Sequence, residues 1–497
     1  MTDEREQQSW HRVLVYGLGV SGSAAASFLH DRGVEVLLVD QRRAEDLVLD
    51  ALVDVVPGSE PSAVSAGSVG RAGAKIEFLL GEEPSRLPPG IDAVVVSPGV
   101  SPERPLLVQA RRRGIPILAE VELAFPHLDG PVIGITGSNG KSTTTAMTGA
   151  LLEASGFAPQ VCGNIGVPLV SVIEGAPGRV FVVELSSFQL ETVSRFRPKA
   201  AALLNLSPDH LDRHGSVEGY LAAKARLFAC QGENDFAVLN ADDPLVRQVG
   251  TRARKRYFSR LEKVEDGCYL DGDLVVEVDP ETGAHELFRR SDVSLQGEHN
   301  LENAMAAALL ARSVGASPVG FGAALAGFEG LPHRLETVGL LDGVQWIDDS
   351  KGTNVGAVLK SLEAMPAGKV HLILGGRSKG ESFVPLREPV GEKAARAYLI
   401  GEAADELRAV LEGSAPLEES GDLETAVRHA AEVAVRGETV LLSPGCTSFD
   451  QYANFSARGD HFRRLVRALA SDQAIGDGED DGDGGDGAVV GGRGANG

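Results

Sequence analysis

The sequence predicts an α/β protein built from three domains. Its 497 residues are too many for one ordinary hydrophobic core, and the length corresponds to about three domains. Two glycine-rich loops each lie between a short apolar strand and a helix, which is the order of a parallel βαβ unit. The C-terminal third again alternates apolar strands with helical stretches. In open α/β sheets of this kind, ligands bind at the carboxyl ends of the strands.

The first domain opens with a strand at 13–16, a glycine-rich loop, an alanine-rich helix and a second strand that ends at Asp40. The loop has the spacing Gly17-x-Gly19-x-x-Gly22, which together with the acidic residue fits the dinucleotide-binding fingerprint. Such a loop holds a pyrophosphate, so NAD and UDP both fit it. The alternative is that the glycines serve only tight packing of helix on strand.

The second glycine-rich loop, 136–143, is the stronger candidate for a phosphate site. It follows an apolar strand and opens a helix, so its backbone N–H groups and the helix N-terminus favour the same anion. Lys141 is expected to reach the β- and γ-phosphates of a nucleotide, and a hydroxyl of Ser142 or Thr143 to bind Mg²⁺. Ile135 stands where the general pattern has its first glycine. A plain glycine turn before a helix is the alternative.

Polar side chains follow two further apolar strands of the second domain. Glu184 ends one of these strands, and His210 follows the other. Because strand carboxyl ends share one edge of a parallel sheet, both side chains are expected near the phosphate loop as ligands of Mg²⁺ or Mn²⁺. Lys224 lies in an alanine-rich helix, and this context alone predicts a solvent-exposed lysine.

Composition excludes several classes of protein. The hydrophobic share of 43% is ordinary for a globular protein, and the formal charge of −23 disfavours nucleic acid and anionic membranes as partners. The four cysteines lie apart and show neither disulfide nor zinc spacing. The polar N-terminus is unlike a signal peptide, and no apolar run is long enough to span a membrane. We expect a cytoplasmic protein with no membrane partner, and we take it to be a monomer.

Six motifs together resemble the Mur ligase family. Each is weak alone, but the set is specific, and the resemblance runs from about residue 12 to about residue 463. The motifs are GSNGKST at 137–143, ELSSFQL at 184–190, NLSPDHLDR at 205–213, HNLENA at 299–304, LPHR at 331–334 and DDSKGTN at 348–354. Two stretches, SSFQLE at 186–191 and LLSPGCTSFDQ at 441–451, resemble most closely the family member that adds D-glutamate.

The resemblance implies an ATP-dependent ligase with a Rossmann-like UDP-binding domain at 1–119, a central P-loop ATPase-type domain at 120–330 and a Rossmann-like amino-acid-binding domain at 331–470. Composition predicts a disordered acidic, glycine-rich tail at 471–497. The implied reaction adds D-glutamate to UDP-N-acetylmuramoyl-L-alanine through an acyl phosphate, in cytoplasmic peptidoglycan precursor synthesis. The implied cofactors are ATP, Mg²⁺ or Mn²⁺, and a carbamylated lysine.

The resemblance also assigns roles to individual residues. It implies that Lys141, Glu184, His210 and Lys224 are catalytic. Gln41 stands where relatives often have threonine. The implied contacts to the UDP substrate are Gly17, Gly19, Asp40, Gln41, Arg42, Ser97, Gly99, Asn164 and His210. The implied ATP contacts are Gly137, Ser138, Asn139, Gly140, Lys141, Ser142, Thr143, Asn300, Asn303, Arg334, Asp349 and Lys351. The implied D-glutamate contacts are Thr353, Lys379, Ser448, Phe449 and Phe455. The implied metal ligands are Ser142, Glu184, His210 and Lys224 as its carbamate, which reverses the solvent-exposed interpretation of that lysine.

Other functions stay open on the sequence alone. Two of these alternatives are ligases, namely another Mur-type ligase and an enzyme like folylpolyglutamate synthase. Two belong to other classes of protein, namely an NAD-dependent oxidoreductase that uses the first loop and a scaffold gated by a nucleotide. The oxidoreductase leaves Lys141 and the third domain unexplained. Phosphate release that needs both a UDP-sugar-peptide and an amino acid would separate a ligase from the other classes.

Overall fold

The chain folds around three β-sheets and divides into two compact units, Met1–Leu331 and Pro332–Gly497. The first two sheets lie in the first unit and the third lies in the second, which confirms the predicted α/β fold of three domains. The predicted domain boundaries stay predictions. The structure is a computed structural model that describes residues 10–43, 47, 68–69, 74–175, 177–378 and 381–476.

In the described part of the chain, the first sheet has six strands in the order β3-β4-β2-β1-β5-β6. Only β3 runs antiparallel to its neighbour. The carboxyl ends of β2, β1 and β5 therefore meet at one edge. Strands β1 to β6 are Arg12–Tyr16, Glu35–Asp40, Ser68–Val69, Lys75–Leu80, Ala93–Val96 and Ile117–Leu118. Helices α1 to α3 are Val20–Asp31, Pro105–Arg112 and Glu120–Ala124.

Nine strands of the described residues form the second sheet, in the order β15-β14-β13-β12-β11-β10-β7-β9-β8. Strand β14 is antiparallel to both neighbours, and the other pairs are parallel. Strands β7 to β15 are Val132–Thr136, Ala158–Gly163, Arg179–Glu184, Ala200–Leu203, Phe236–Asn240, Arg254–Ser259, Gly267–Asp271, Leu274–Asp279 and Gly283–Arg289. Helices α4 to α10 are Lys141–Ala154, Ser187–Leu190, Leu211–His214, Val217–Ala225, Pro244–Arg247, Glu298–Ser313 and Phe321–Ala326.

The first two sheets share one hydrophobic cluster, which explains why they belong to one compact unit. Val15 and Leu29 of the first layer and Phe181 and Leu185 of the second are buried in it. A buried carboxylate also holds helix α3 in place. Glu122 of α3 accepts hydrogen bonds from the backbone N–H groups of residues 195 and 196, at 2.6 and 3.0 Å, and from the hydroxyl of residue 194 at 2.9 Å. Charge-assisted bonds of this kind are strong when buried, so they fix α3 on the segment that precedes β10.

Within the described residues, the third sheet has six strands in the order β16-β17-β21-β18-β19-β20, with only β16 antiparallel. Strands β16 to β21 are Glu336–Leu341, Val344–Asp348, Val370–Gly375, Ala394–Ile400, Leu417–Gly421 and Thr439–Gly445. Helices α11 to α15 are Val355–Glu363, Arg387–Lys393, Ala404–Leu411, Leu423–Val433 and Phe455–Gly476. Helix α15 thus extends beyond 470, and the rest of the predicted tail lies outside the described residues.

Short 3-10 helices connect some of these elements. Among the described residues they are Phe125–His127, Leu169–Val172, Arg226–Phe228, Arg290–Asp292 and Val384–Leu386. Among the described residues, no helix combines the length and the apolar character that crossing a bilayer requires.

Candidate active site

The second glycine-rich loop lies between β7 and α4 and is held on one side by α9. Gly140 begins the helix in the left-handed region, with φ of 80°. A Cβ at this position would lie 2.2 Å from Oδ1 of Asn303, so close approach also requires a glycine. The same Oδ1 accepts a hydrogen bond from Thr144 Oγ1 at 3.2 Å, and Asn303 Nδ2 donates to Oδ1 of Asn300 at 3.2 Å. Two of the residues predicted to bind ATP therefore lie beside the loop.

The segment after β10 supports the loop from the other side. Ser138 N donates to the carbonyl of Asn205 at 3.0 Å, and Asn139 N donates to Oδ1 of Asn205 at 2.9 Å. Ser138 Oγ donates to the carbonyl of Ser207 and accepts from its N–H, both at 3.0 Å. These paired bonds fix the loop at the sheet edge, which gives the motif at 205–213 a structural reason.

Two lysines point at the phosphate loop. Lys141 Nζ donates to the carbonyls of Gly137 and Ser138 at 2.9 and 2.8 Å. Lys224 Nζ donates to the same Gly137 carbonyl at 2.8 Å, and Lys224 is only 1% exposed. Burial, followed by the nearby Lys141 charge, holds the pKa of Lys224 well below its usual range. The solvent-exposed position that its helix alone predicted for Lys224 is therefore wrong.

Glu184 and His210 follow the strands on either side of β7. The Glu184 side chain is buried, and its Oε1 accepts a hydrogen bond from Asn164 Nδ2 at 2.8 Å. Its Oε2 is buried without a hydrogen-bond partner in the described part of the chain, which suits a cation ligand. His210 has a left-handed backbone, with φ of 54°, and its ring centroid lies 4.7 Å from that of Phe188. Such strain is common at functional sites.

The donors near the loop form only part of a metal site. Glu184 and Ser142 offer the oxygen ligands that Mg²⁺ and Mn²⁺ prefer, and His210 offers a ring nitrogen, which is less typical of these ions. Among the residues that the structure describes, one group of three His, Cys, Asp or Glu side chains lies close enough to share an ion, and it is His333, Glu336 and Asp348. If Glu184 and His210 bind a cation, as the resemblance implies, a further ligand of another kind has to complete the site.

A cavity of about 630 Å³ opens at the carboxyl edge of the first sheet. Its walls include eight of the nine residues predicted to bind the UDP substrate, and His210 is the one that does not line it. The eight are Gly17, Gly19, Asp40, Gln41, Arg42, Ser97, Gly99 and Asn164. Asn164 reaches the cavity from the second domain, so the pocket extends toward Glu184 and the phosphate loop.

The Asp40 carboxylate is occupied by the protein itself. Leu18 N donates to its Oδ2 at 2.7 Å, and Arg42 donates to Oδ1 from its backbone N–H at 2.9 Å and to Oδ2 from Nη2 at 2.8 Å. Burial would raise the pKa of Asp40, but these hydrogen bonds outweigh it and hold the pKa below its ordinary value. A carboxylate used in this way shapes the loop, and a ribose hydroxyl of either NAD or UDP would have to replace one of these partners to bond to it.

In the C-terminal unit, Asp349 lies at the carboxyl end of β17. Its Oδ2 accepts hydrogen bonds from the hydroxyls of Ser361 and Ser443, both at 2.7 Å. Burial raises the pKa of Asp349 to about 6, while these bonds and Arg334 act in the opposite direction. Two predicted nucleotide contacts, Asp349 and Arg334, are thus close enough to interact, and a third, Lys351, follows in the same loop.

Four of the five residues predicted to bind D-glutamate follow β17 or β21, which are neighbouring strands of the third sheet. Phe455 packs against Lys351, whose Nζ lies 4.1 Å from the ring centroid. Ser448 is buried, whereas Phe449 is 61% exposed. Thr353 lies in the loop that also carries Lys351, and its N–H donates to the Lys351 carbonyl at 2.7 Å. Lys379 lies outside the described residues, so its predicted role stays a prediction from the sequence.

Arg458 is a residue that sequence reasoning missed. It is 1% exposed, and its guanidinium donates to the carbonyl of Ser350 at 2.9 Å, to the Ser350 hydroxyl at 3.0 Å and to the carbonyl of Cys446 at 3.2 Å. Burial lowers the pKa of Arg458 to about 10. The arginine ties the loop after β17 to the loop after β21. No motif marks it, since an arginine in the first turn of a helix usually faces solvent.

Three known domain types match the chain in order. Residues 11–119 match the Mur ligase MurD-like N-terminal domain, residues 135–311 the Mur ligase middle domain, and residues 333–446 the glutamate ligase domain of Mur ligases. Among solved structures, a pseudomurein peptide ligase type C from Methanothermus fervidus has a TM-score of 0.55 at 18% identity, covering 92% of this chain and 100% of that one. At this identity the likeness shows the fold alone.

Sequence relatives extend over nearly the whole length. A UDP-N-acetylmuramoylalanine–D-glutamate ligase from Acidobacterium capsulatum is 42% identical over 461 residues, which are 92% of this chain and 96% of the relative. The protein of the same name from Anaeromyxobacter dehalogenans is 44% identical over 471 residues, 92% of this chain and 98% of the relative. With domain matches in all three parts of the chain and relatives of this similarity, the protein belongs to the Mur ligase family.

Proposed function

We infer that the protein is the ATP-dependent ligase that adds D-glutamate to UDP-N-acetylmuramoyl-L-alanine in peptidoglycan precursor synthesis. The observation that carries this function is the match to ligases of that name, 42% and 44% identical over 92% of the chain. The structure supports it with a phosphate loop and a second pyrophosphate-type pocket in one compact unit. The alternative function, an NAD-dependent oxidoreductase, accounts neither for the second glycine-rich loop nor for membership of the Mur ligase family.

The reaction has two steps because a carboxylate is a poor electrophile. In the first step, an oxygen of the alanine carboxylate attacks the γ-phosphorus of ATP, and the bond to the bridging oxygen breaks so that ADP leaves. In the second step, the neutral amine of D-glutamate attacks the acyl carbon. Phosphate leaves with the electron pair of the broken C–O bond, and the amine gives up a proton. Such a sequence needs positioning and charge stabilisation, and it needs no nucleophilic side chain of the protein.

The residues of the phosphate loop supply the stabilisation. Lys141 and the backbone N–H groups in the first turn of α4 would face the negative charge that develops on the transferring phosphoryl group, whereas the N–H groups of Ser138 and Asn139 are already bonded to Asn205. Ser142, Glu184 and His210 would hold Mg²⁺, which neutralises phosphate charge when it is bound. The buried, unpartnered Oε2 of Glu184 supports this assignment. Asn300 and Asn303 hold the start of α4 in place from α9.

A carbamate on Lys224 would complete the metal site. The neutral amine attacks the carbon of CO₂, an N–C bond forms while one C–O π bond opens, and the nitrogen loses a proton, so that an amine becomes an anion with two oxygen donors. The low pKa of Lys224 favours the neutral amine that this step requires. The Lys224 Nζ lies against the phosphate loop and interacts with Glu184 and Asp209. A carboxylate there is the further ligand that Glu184 and His210 need.

The first-domain pocket is expected to bind UDP and not NAD, because the chain matches ligases of a UDP-linked substrate over 92% of its length. UDP should raise the Tm in a thermal-shift titration, and at a concentration of 100 times Kd the stabilisation corresponds to about 2.7 kcal/mol. NAD and NADH at the same concentrations should leave the Tm unchanged. ADP serves as a control for binding at the second loop, since its effect should add to that of UDP. Stabilisation by NAD(H) without any by UDP would overturn the assignment.

The amino-acid specificity can be tested directly by phosphate release with D-Glu, L-Glu, L-Ala, L-Lys and meso-diaminopimelate. We expect turnover with D-Glu alone. Lys379→Ala should raise the KM for D-glutamate by about tenfold or more and leave the KM for ATP nearly unchanged, since it removes a contact to one substrate. Lys360→Ala is the matched control, because Lys360 is an exposed lysine of the same unit that pairs with Glu363 at 2.8 Å. Preference for another amino acid would place the chain elsewhere in the family.

A further inference from the structure

The buried guanidinium of Arg458 lies where three loops at the carboxyl edge of the third sheet meet. We propose that Arg458 is a positioning residue that holds these loops in the arrangement that binds the incoming amino acid, a role that rests on the proposed ligase function. The loops follow the adjacent strands β17, β21 and β18. Each loop carries a residue predicted to bind D-glutamate, namely Thr353, Ser448 and Lys379 in that order. Arg458 needs no contact with a substrate for this role.

Hydrogen bonds tie Arg458 to two of the loops. In the loop after β17, Ser350 accepts from Nη2 with its carbonyl at 2.9 Å and from Nε with its hydroxyl at 3.0 Å. In the loop after β21, the carbonyl of Cys446 accepts from Nη2 at 3.2 Å, and the carbonyl of Thr447 accepts from Nη1 at 3.4 Å. Because a guanidinium is a rigid planar fork of donors, these bonds fix the distance between the two loops.

The loop after β18 lies against the same guanidinium. A Cβ at Gly376 would lie 3.1 Å from Nη1 of Arg458 and 2.2 Å from the Thr447 carbonyl, so this close approach requires glycine. The next residue, Arg377, donates from its N–H to the carbonyl of Thr447 at 2.9 Å and accepts from the N–H of Thr447 at 3.0 Å. The Thr447 carbonyl therefore joins Arg458 to the loop that leads to Lys379.

Stability alone does not account for a cation at this place. In the described part of the chain, the hydrogen bonds of Arg458 go to carbonyl and hydroxyl oxygens, which carry no charge. Burying a charge without a paired anion costs free energy, and the positive end of the helix dipole adds to that cost. Burial lowers the pKa of Arg458 to about 10, although Asp450 and Asp348 act in the opposite direction, so the side chain is charged at neutral pH. Such a cost is typical of residues that a functional site requires.

The residues that Arg458 fixes are chain neighbours of predicted substrate contacts. Lys351 follows Ser350, and the buried Ser448 follows Thr447. A shift of either loop therefore moves a predicted contact with it, and a misplacement of about 1 Å can cost about 10²-fold in rate. The cavity predicted to bind the UDP-linked substrate is lined by residues of the other compact unit and shares none of these bonds. Loss of Arg458 should consequently weaken the use of D-glutamate and spare that of the UDP-linked substrate.

Steady-state phosphate release by the full-length protein, with ATP saturating, tests this role. Arg458→Lys keeps a charge but replaces the fork with one ammonium, which cannot serve both loops. Its KM for D-glutamate should rise about tenfold or more, while its KM for UDP-N-acetylmuramoyl-L-alanine stays within about twofold. Arg458→Met removes every donor and should raise the KM for D-glutamate further. Arg464→Met, an exposed arginine of the same helix, is the matched control and should keep both wild-type KM values.

A smaller change covers the case in which the Arg458 variants do not fold. Ser350→Ala removes the hydroxyl that accepts from Nε and keeps the carbonyl, so it should raise the KM for D-glutamate about fivefold, the effect of one hydrogen bond. The Tm of each variant is measured beside the kinetics. A role in the overall fold would lower the Tm and the active fraction, which reduces kcat and leaves both KM values unchanged.

The outcomes separate the arginine from the reaction. If the wild type turns over D-glutamate and a folded Arg458→Lys or Ser350→Ala protein keeps the wild-type KM for it, the positioning role is wrong, although the ligase function stands. An equal rise of the KM values for both substrates would also overturn the role, because it would show an effect on the whole protein. If the wild type releases no phosphate with D-glutamate, the proposed function itself is wrong, and the positioning role falls with it.

Discussion

Lys141→Ala is expected to lower ATP-dependent turnover by at least about 10²–10³-fold, because it removes a cation from the charge that develops on the transferring phosphoryl group. The fold should survive the change. The carbonyl of Gly137 loses one donor but keeps Lys224 Nζ at 2.8 Å. The loop backbone also keeps its bonds from Ser138 and Asn139 to Asn205. The loss should therefore appear in kcat and not in the Tm.

Phosphate release with all three substrates is the measurement, with circular dichroism and thermal unfolding beside it. Lys263→Ala is the matched control, because Lys263 is an exposed lysine of the same domain that contacts Asp271 at 3.5 Å. It should keep the wild-type rate. Near-normal phosphate release by a well-folded Lys141→Ala protein would contradict the role of Lys141.

The strands beside the site could be predicted because their sequences are uninterrupted apolar runs. Strand β1, Arg12–Tyr16, differs from the predicted 13–16 by one residue, and β2 ends at Asp40 as predicted. Buried parallel strands show this pattern since both faces are covered. Helix α1 begins at Val20, so the last glycine of the motif already lies in the helix. There a Cβ would clash with the Gly17 carbonyl, so the glycine serves close packing.

Contacts between distant segments could not be predicted from spacing. Lys224 looks like a solvated helix lysine because its neighbours are alanines, and only the tertiary fold brings its ammonium to Gly137, 87 positions away. Arg458 donates to Ser350 across 108 positions and belongs to no motif. Gln41 meets Arg104 across 63 positions. Residues that act through a partner on another element carry no local signal, whereas Lys141 and Gly140 act through the loop that contains them.

Lys224→Ala is expected to be nearly inactive, and a short-chain carboxylic acid such as acetate should restore part of the activity. The substitution removes the amine that would carry the carbamate and leaves space beside the phosphate loop. A small carboxylate can occupy that space and offer the missing oxygen ligands. Turnover measured against acetate concentration is the direct test. In CO₂-depleted buffer the wild type should lose activity and regain it on addition of bicarbonate, and ¹³C-labelled CO₂ should give a carbamate signal in NMR.

Lys224→Arg distinguishes a metal-binding carboxylate from a simple cation. If Lys224 acted as a positive charge near the phosphates, arginine would keep much of the activity, and acetate would not help the alanine variant. If Lys224 acts as a carbamate, arginine cannot form one and also fills the space, so this variant should be inactive with and without acetate. Full activity of Lys224→Ala in CO₂-depleted buffer without any acid would rule out both roles. If acetate restores activity to Lys224→Ala but not to Lys224→Arg, only a carboxylate at this position explains the result.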